Sequence, residues 1–85
     1  MFLEFYNRIL EISEEIPEIQ HSVRKYCRDM VYVAPEQQAV RFYSNITKVQ
    51  YIARAYIEES RKITTCQQII DECEESKKKI KFINC

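Results

Sequence analysis

Glycine is absent from all 85 residues, and proline occurs only twice, at Pro17 and Pro35. That removes most of the reverse-turn chemistry on which β-hairpins, barrels and sandwiches depend, so a β fold is excluded at the outset. Tryptophan is absent and histidine occurs once, at His21. Without glycine there is no phosphate-cradling loop, and one histidine leaves few routes to a general base or a metal set. Charge of one sign is not in excess either, with 13 basic against 13 acidic residues. No overall field is therefore available to hold a nucleic-acid backbone or an anionic membrane surface.

Long hydrophobic runs are also missing. No segment approaches the ~18 consecutive apolar residues of a membrane span, and Met1-Phe2-Leu3-Glu4-Phe5 lacks the basic region and cleavage site of a secretory signal. The expectation is an intracellular chain with no membrane partner, in which the sequon Asn45-Ile46-Thr47 is chemically idle. The four cysteines, Cys27, Cys66, Cys73 and Cys85, show neither a C-x2-C pair nor a nearby histidine at zinc-ligand spacing. They read as reduced thiols packed as small hydrophobes, with no metal and no cofactor. A prenylation signal would place cysteine fourth from the end, where Phe82 stands.

What the sequence does contain is a regular apolar pattern. Hydrophobic residues make up 46% of the chain and charged residues 31%, and their regular recurrence predicts a folded, all-α protein. Phe2, Phe5, Ile9, Ile12, Ile16, Ile19, Val23, Tyr26, Met30 and Val33 alternate by three and four, a heptad stripe. One helix over residues 2–33 would run about 48 Å and stay in phase only against another helix. Pro17 lacks an amide hydrogen and clashes with the preceding turn, so a kink is expected across Glu14–Pro17, with two segments in line and Ser13 as a cap.

Ala34-Pro35 ends this first arm, and Pro35-Glu36-Gln37-Gln38 opens a second. There Ala39, Phe42, Ile46, Val49, Ala53, Tyr56, Ser60 and Ile63 keep the alternation. A three-residue step then resets the phase onto Cys66, Ile70, Cys73, Lys77 and Ile80. A bend is expected at Thr64–Gln68, where either threonine, followed three residues later by glutamine, makes a capping box. The sequence thus predicts one domain over residues 1–85, a long antiparallel helical hairpin of coiled-coil type. Arm one covers about 2–33, the turn about 34–35 and arm two about 36–83.

Such a hairpin leaves Val40, Tyr43, Ile52, Ile57 and Ile69 outside its main stripe. At ~25 cal/mol per Å2, burying a few such side chains is worth several kcal/mol, so self-association or a partner helix is expected. The partner-binding seam is assigned to Phe2, Phe5, Ile9, Ile12, Ile16, Ile19, Val23, Tyr26, Met30, Phe42, Ile46, Val49, Tyr56 and Ile63.

Catalysis is not expected. The carboxylate pairs Glu14-Glu15 and Glu58-Glu59 are consecutive and point about 100° apart on a helix, too divergent to share a proton or a metal. His21 reads as a flank residue. Tyr6, Tyr26, Tyr32, Tyr43, Tyr51 and Tyr56 read as amphipathic packing, with a minor nucleic-acid alternative where they approach Arg41, Lys48 and Arg54. Charge is uneven along the chain: residues 1–20 carry five Glu against one Arg, residues 21–62 are net basic, and Asp71, Glu72, Glu74 and Glu75 precede Lys77, Lys78, Lys79 and Lys81. This last order suits a solvated helix end.

The aromatic start Phe2-Leu3-Glu4-Phe5-Tyr6, the element Glu15-Ile16-Pro17-Glu18-Ile19-Gln20, the charged Arg24 and Arg28-Asp29, and Ala34-Pro35-Glu36-Gln37 together resemble the amino-terminal domain of the inhibitor-of-growth family. The chain is some twenty residues shorter than the family pattern between Asp29 and Pro35. The resemblance implies a non-catalytic helical domain that dimerises or docks into a histone acetyltransferase or deacetylase complex in the nucleus. It also implies that the family's zinc-binding histone-reading finger is not within these residues. Two other readings stand beside it: a coiled-coil assembly subunit of an unrelated complex, and a mitochondrial adaptor of the Leu-Tyr-Arg type binding an acyl carrier protein, suggested by Phe5-Tyr6-Asn7-Arg8-Ile9-Leu10.

Overall fold

The two prolines set the chain's course. Ile16 (φ −127°, ψ 84°) and Ala34 (φ −58°, ψ 142°), the residues before them, are forced out of the helical region, and each proline sits in the first turn of a new helix. A computed structural model describing residues 2–80 has four α-helices: α1 (Phe2–Ile12), α2 (Pro17–Asp29), α3 (Pro35–Glu58) and α4 (Ile63–Lys78). Short 3-10 turns at Ser13–Glu15 and Met30–Tyr32 close the first two helices. The all-α expectation is met. The end of arm two at 83, and the readings placed on Lys81, Phe82 and Cys85, lie outside the described residues.

The helices do not form a two-armed hairpin with α1 and α2 in line. The molecule measures 38 × 25 × 17 Å, too short for a 48 Å arm, because the chain reverses at Pro17. The start of α1 (Phe2, Leu3, Tyr6) lies beside the end of α2 (Cys27) and the turn that follows it (Met30), and Gln20 Nε2 donates to the Leu10 carbonyl at 3.3 Å. The second arm reverses as well, at Glu59–Lys62, and α4 packs along α3 in the bundle's most extensive contact. The result is an up-down-up-down four-helix bundle.

That second reversal uses a Schellman-type stop without glycine. Arg61 N–H donates to the Tyr56 carbonyl at 2.9 Å and Ser60 N–H to that of Ile57 at 2.8 Å. Ser60 (φ 58°) therefore occupies the left-handed position that glycine usually fills, and Lys62 (φ 50°) repeats the feat before α4. The expected caps are not used. Ser13 is buried and donates to the Leu10 carbonyl at 3.4 Å, Thr65 Oγ1 donates to Glu15 at 2.9 Å, and no side-chain cap closes α2 or α4. The break also falls before Thr64, because the left-handed residues stop α3 before either threonine is reached.

Candidate interaction surface

The heptad seam is consumed inside the bundle. Phe5, Ile9, Ile16, Ile19, Val23, Met30, Phe42, Ile46, Val49 and Tyr56 are buried in the chain's own core, with Phe2, Ile12 and Tyr26 partly buried against it. Ile63 stands apart, exposed at the start of α4. Of the apolar surplus, Ile69 joins the core, Tyr43, Ile52 and Ile57 pack against it, and Val40 remains exposed. Four helices give each stripe a neighbour within the same chain, which is why the surplus a two-helix hairpin would leave is mostly absorbed.

One end of this core is aromatic. Phe42 meets Phe2, Phe5 and Tyr6 at ring-centroid distances of 4.5, 5.1 and 5.4 Å, the last two edge-to-face. Two polar side chains missed in the sequence lie within the core. Asn45 Nδ2 donates to the Tyr6 hydroxyl at 3.1 Å, tying α3 to α1, so the sequon asparagine is enclosed rather than displayed. Gln50 Nε2 donates to the Ile70 carbonyl at 3.2 Å and to Glu74 Oε1 at 2.8 Å, while Lys77 Nζ donates to Gln50 Oε1 and rests over the Tyr43 ring. The Gln50 hydrogen bond, aided by Lys77, holds the Glu74 carboxyl below the ordinary carboxylate range. The signal for both was available: Asn45 and Gln50 fall beside Ile46 and Val49 on the inward half of α3.

Two surface clefts are lined by paired charges. One of about 310 Å3 lies between α1 and α4, lined in part by Glu4, Arg8, Phe42, Glu72 and Lys79, with Arg8 paired to Glu72 at 3.0 Å. Another of about 340 Å3, at the opposite pole, is lined by Glu15, Glu18, Tyr56, Arg61 and Lys62. There Lys62 pairs with Glu15 and Arg61 with Glu18. His21 is exposed on α2 and lines neither. Burial pushes the Cys73 thiol up to about 12, and burial likewise raises Cys66, so both stay protonated. Among the described residues no group of three or more His, Cys, Asp and Glu is placed to hold a metal, and no helix is long and apolar enough to cross a membrane.

Exposed apolar side chains remain at Leu3, at Val31 and Tyr32 in the turn after α2, at Ile63, and along the outside of α3. From Gln37 to Ile57 this helix carries no carboxylate but does carry Arg41, Lys48 and Arg54. All three are exposed, and none forms an ion pair among the described residues. Between them runs an exposed, uncharged stripe, Val40, Ser44, Thr47 and Tyr51, with Val40 54% and Tyr51 75% exposed. The far side of the bundle differs: Glu4, Glu11, Glu14, Asp71 and Glu75 stand exposed on or beside α1 and α4. No family model, no curated protein and no solved structure matches the chain.

Proposed function

We propose that this protein is a non-catalytic interaction subunit that docks to a partner protein through the outer face of α3. The observation that carries the reading is the contrast on that helix. Its inner face is fully used by the core, yet its outer face keeps Val40 and Tyr51 exposed beside three cations without ion pairs. Exposed single hydrophobes are ordinary, but Val40 and Tyr51 here end a line, through the small Ser44 and Thr47, that has the four-three-four spacing of a helical seam.

The resemblance at Phe2–Tyr6, Glu15–Gln20 and Ala34–Gln37 supports a finer version. In it the partner is a subunit of a histone acetyltransferase or deacetylase complex, and the chain works in the nucleus. The test is affinity purification of the tagged full chain from its own cells, followed by mass spectrometry, beside the variant Val40→Asp/Tyr51→Asp. The expected result is a stoichiometric partner with wild type that is lost with the variant while circular dichroism of the two is equal. Chromatin-modifying subunits support the finer version. An acyl carrier protein or an unrelated assembly overturns it, and equal recovery with both proteins overturns docking through α3.

A further inference from the structure

Resting on that reading of the α3 face, we infer that its occupant is an amphipathic helix of another protein whose apolar stripe is bordered by carboxylates. Val40, Ser44, Thr47 and Tyr51 step by four, three and four, so they form one line along the helix. The two middle residues are small and lie between two larger apolar ends, which lets a second helix axis come close over the centre.

The cations lie on the flanks rather than on the line. Helical geometry places Arg41 and Lys48 on one side of the stripe and Arg54 on the other, with successive cations about 9–11 Å apart along the axis. Those are the positions from which paired helices choose partners by charge. Arg41 and Lys48 have no carboxylate three or four residues away on α3, whereas Arg54 has Glu58 four residues on and Glu74 of α4 within reach of its charge. A second α3 laid on the stripe would bring like charges together, so an isologous pair through this face is opposed. A nucleic-acid backbone would need cations at the centre of the face, where uncharged side chains stand. Carboxylates three, four and seven residues apart on a partner helix satisfy both the stripe and its flanks.

The experiment is carbodiimide crosslinking, which joins a lysine amine to a carboxylate. It is applied to extracts of cells expressing the tagged full chain or its charge-conserving variant Arg41→Lys/Arg54→Lys, and the links are read by mass spectrometry. The expected result is Lys48 joined to Asp or Glu of another protein, within a segment whose carboxylates recur at helical spacing. Two further lysine links should appear in the variant, and yield should fall about tenfold as salt rises from low to roughly 0.5 M. Links from Lys48 only to Glu11 or Asp71 of a second copy would overturn the inference in favour of self-assembly. Loss of the partner on nuclease treatment would overturn it in favour of a nucleic acid. A partner lost on Val40→Asp/Tyr51→Asp yet never linked to Lys48 would leave the α3 face as the docking surface and overturn the acidic helix alone.

Discussion

Tyr6→Phe removes one oxygen from the core and tests the packing at two pH values. Tyr6 is 1% and Asn45 3% exposed, and their hydrogen bond is the one polar link between α1 and α3 among the described residues. The substitution strands the Asn45 amide in a dry site, a cost of about 1–3 kcal/mol at neutral pH. In a domain of this size that lowers the melting temperature by roughly 4–8 °C per kcal/mol. Burial, partly offset by the hydrogen bond from Asn45, pushes the Tyr6 phenol up to about 12 from the ordinary tyrosine value of 10.0. The unfolded chain therefore releases this proton near pH 10, while the folded chain holds it until about pH 12. The stability associated with the raised pKa is intact below pH 10 and is lost between pH 10 and 12 at about 1.4 kcal/mol per unit. Tyr6→Phe has no such proton, so its deficit relative to wild type should shrink by about 1.4 kcal/mol between pH 9 and 11. Groups common to both proteins, the raised Cys73 thiol among them, cancel in the difference. Urea unfolding followed by far-UV circular dichroism measures the gap. A gap that does not change with pH, or no deficit at pH 7, would refute the reasoning.

Other substitutions probe the remaining features. Phe42→Ala, which empties the centre of the aromatic cluster, should cost about 3–5 kcal/mol in chemical denaturation. Ile19→Asp should unfold the isolated chain, since it strands a charge in the core, and far-UV circular dichroism should lose most of its helical signal. Ser60→Gly should raise stability by about 0.5–1 kcal/mol, because the left-handed backbone there costs a serine more than a glycine, and a lower melting temperature would contradict that. Under native conditions near pH 8, alkylation should modify the half-buried Cys27 and leave Cys66 and Cys73 untouched until denaturant is added, as peptide mass spectrometry will show.

Most of the core lies on the stripe from Phe2 to Met30 and its counterpart on the second arm, which the sequence assigns to a partner seam, because heptad spacing reports which face of a helix is dry. The spacing does not report which helix covers that face. Pro17 marked the first break, but whether the chain continues or turns back depends on the extended Ile16 and on what Gln20 and Cys27 can reach, a tertiary matter. The bend expected at Thr64–Gln68 lies a few residues beyond the actual stop at Glu59–Lys62, since two non-glycine residues in left-handed conformation carry no warning in the sequence. Asn45 and Gln50 were overlooked for a different reason: a polar residue on an inward position is stable only if a specific partner waits there. Those partners, Tyr6 and Glu74, lie far along the chain. The outer face of α3 is half legible, as Arg41, Lys48 and Arg54 stand beside tyrosines in the sequence, but which residues of the helix face outward depends on the tertiary packing of the inward ones.

A bundle that closes its own seam, with its heptad residues buried in one chain, should fold without a partner. Sedimentation equilibrium combined with thermal unfolding at protein concentrations spanning a hundredfold tests it most directly. The expected result is a species of one chain mass, 10.3 kDa, fully helical, with a melting temperature independent of concentration. A midpoint that rises with concentration, or helicity that appears only in a heavier species, would contradict it.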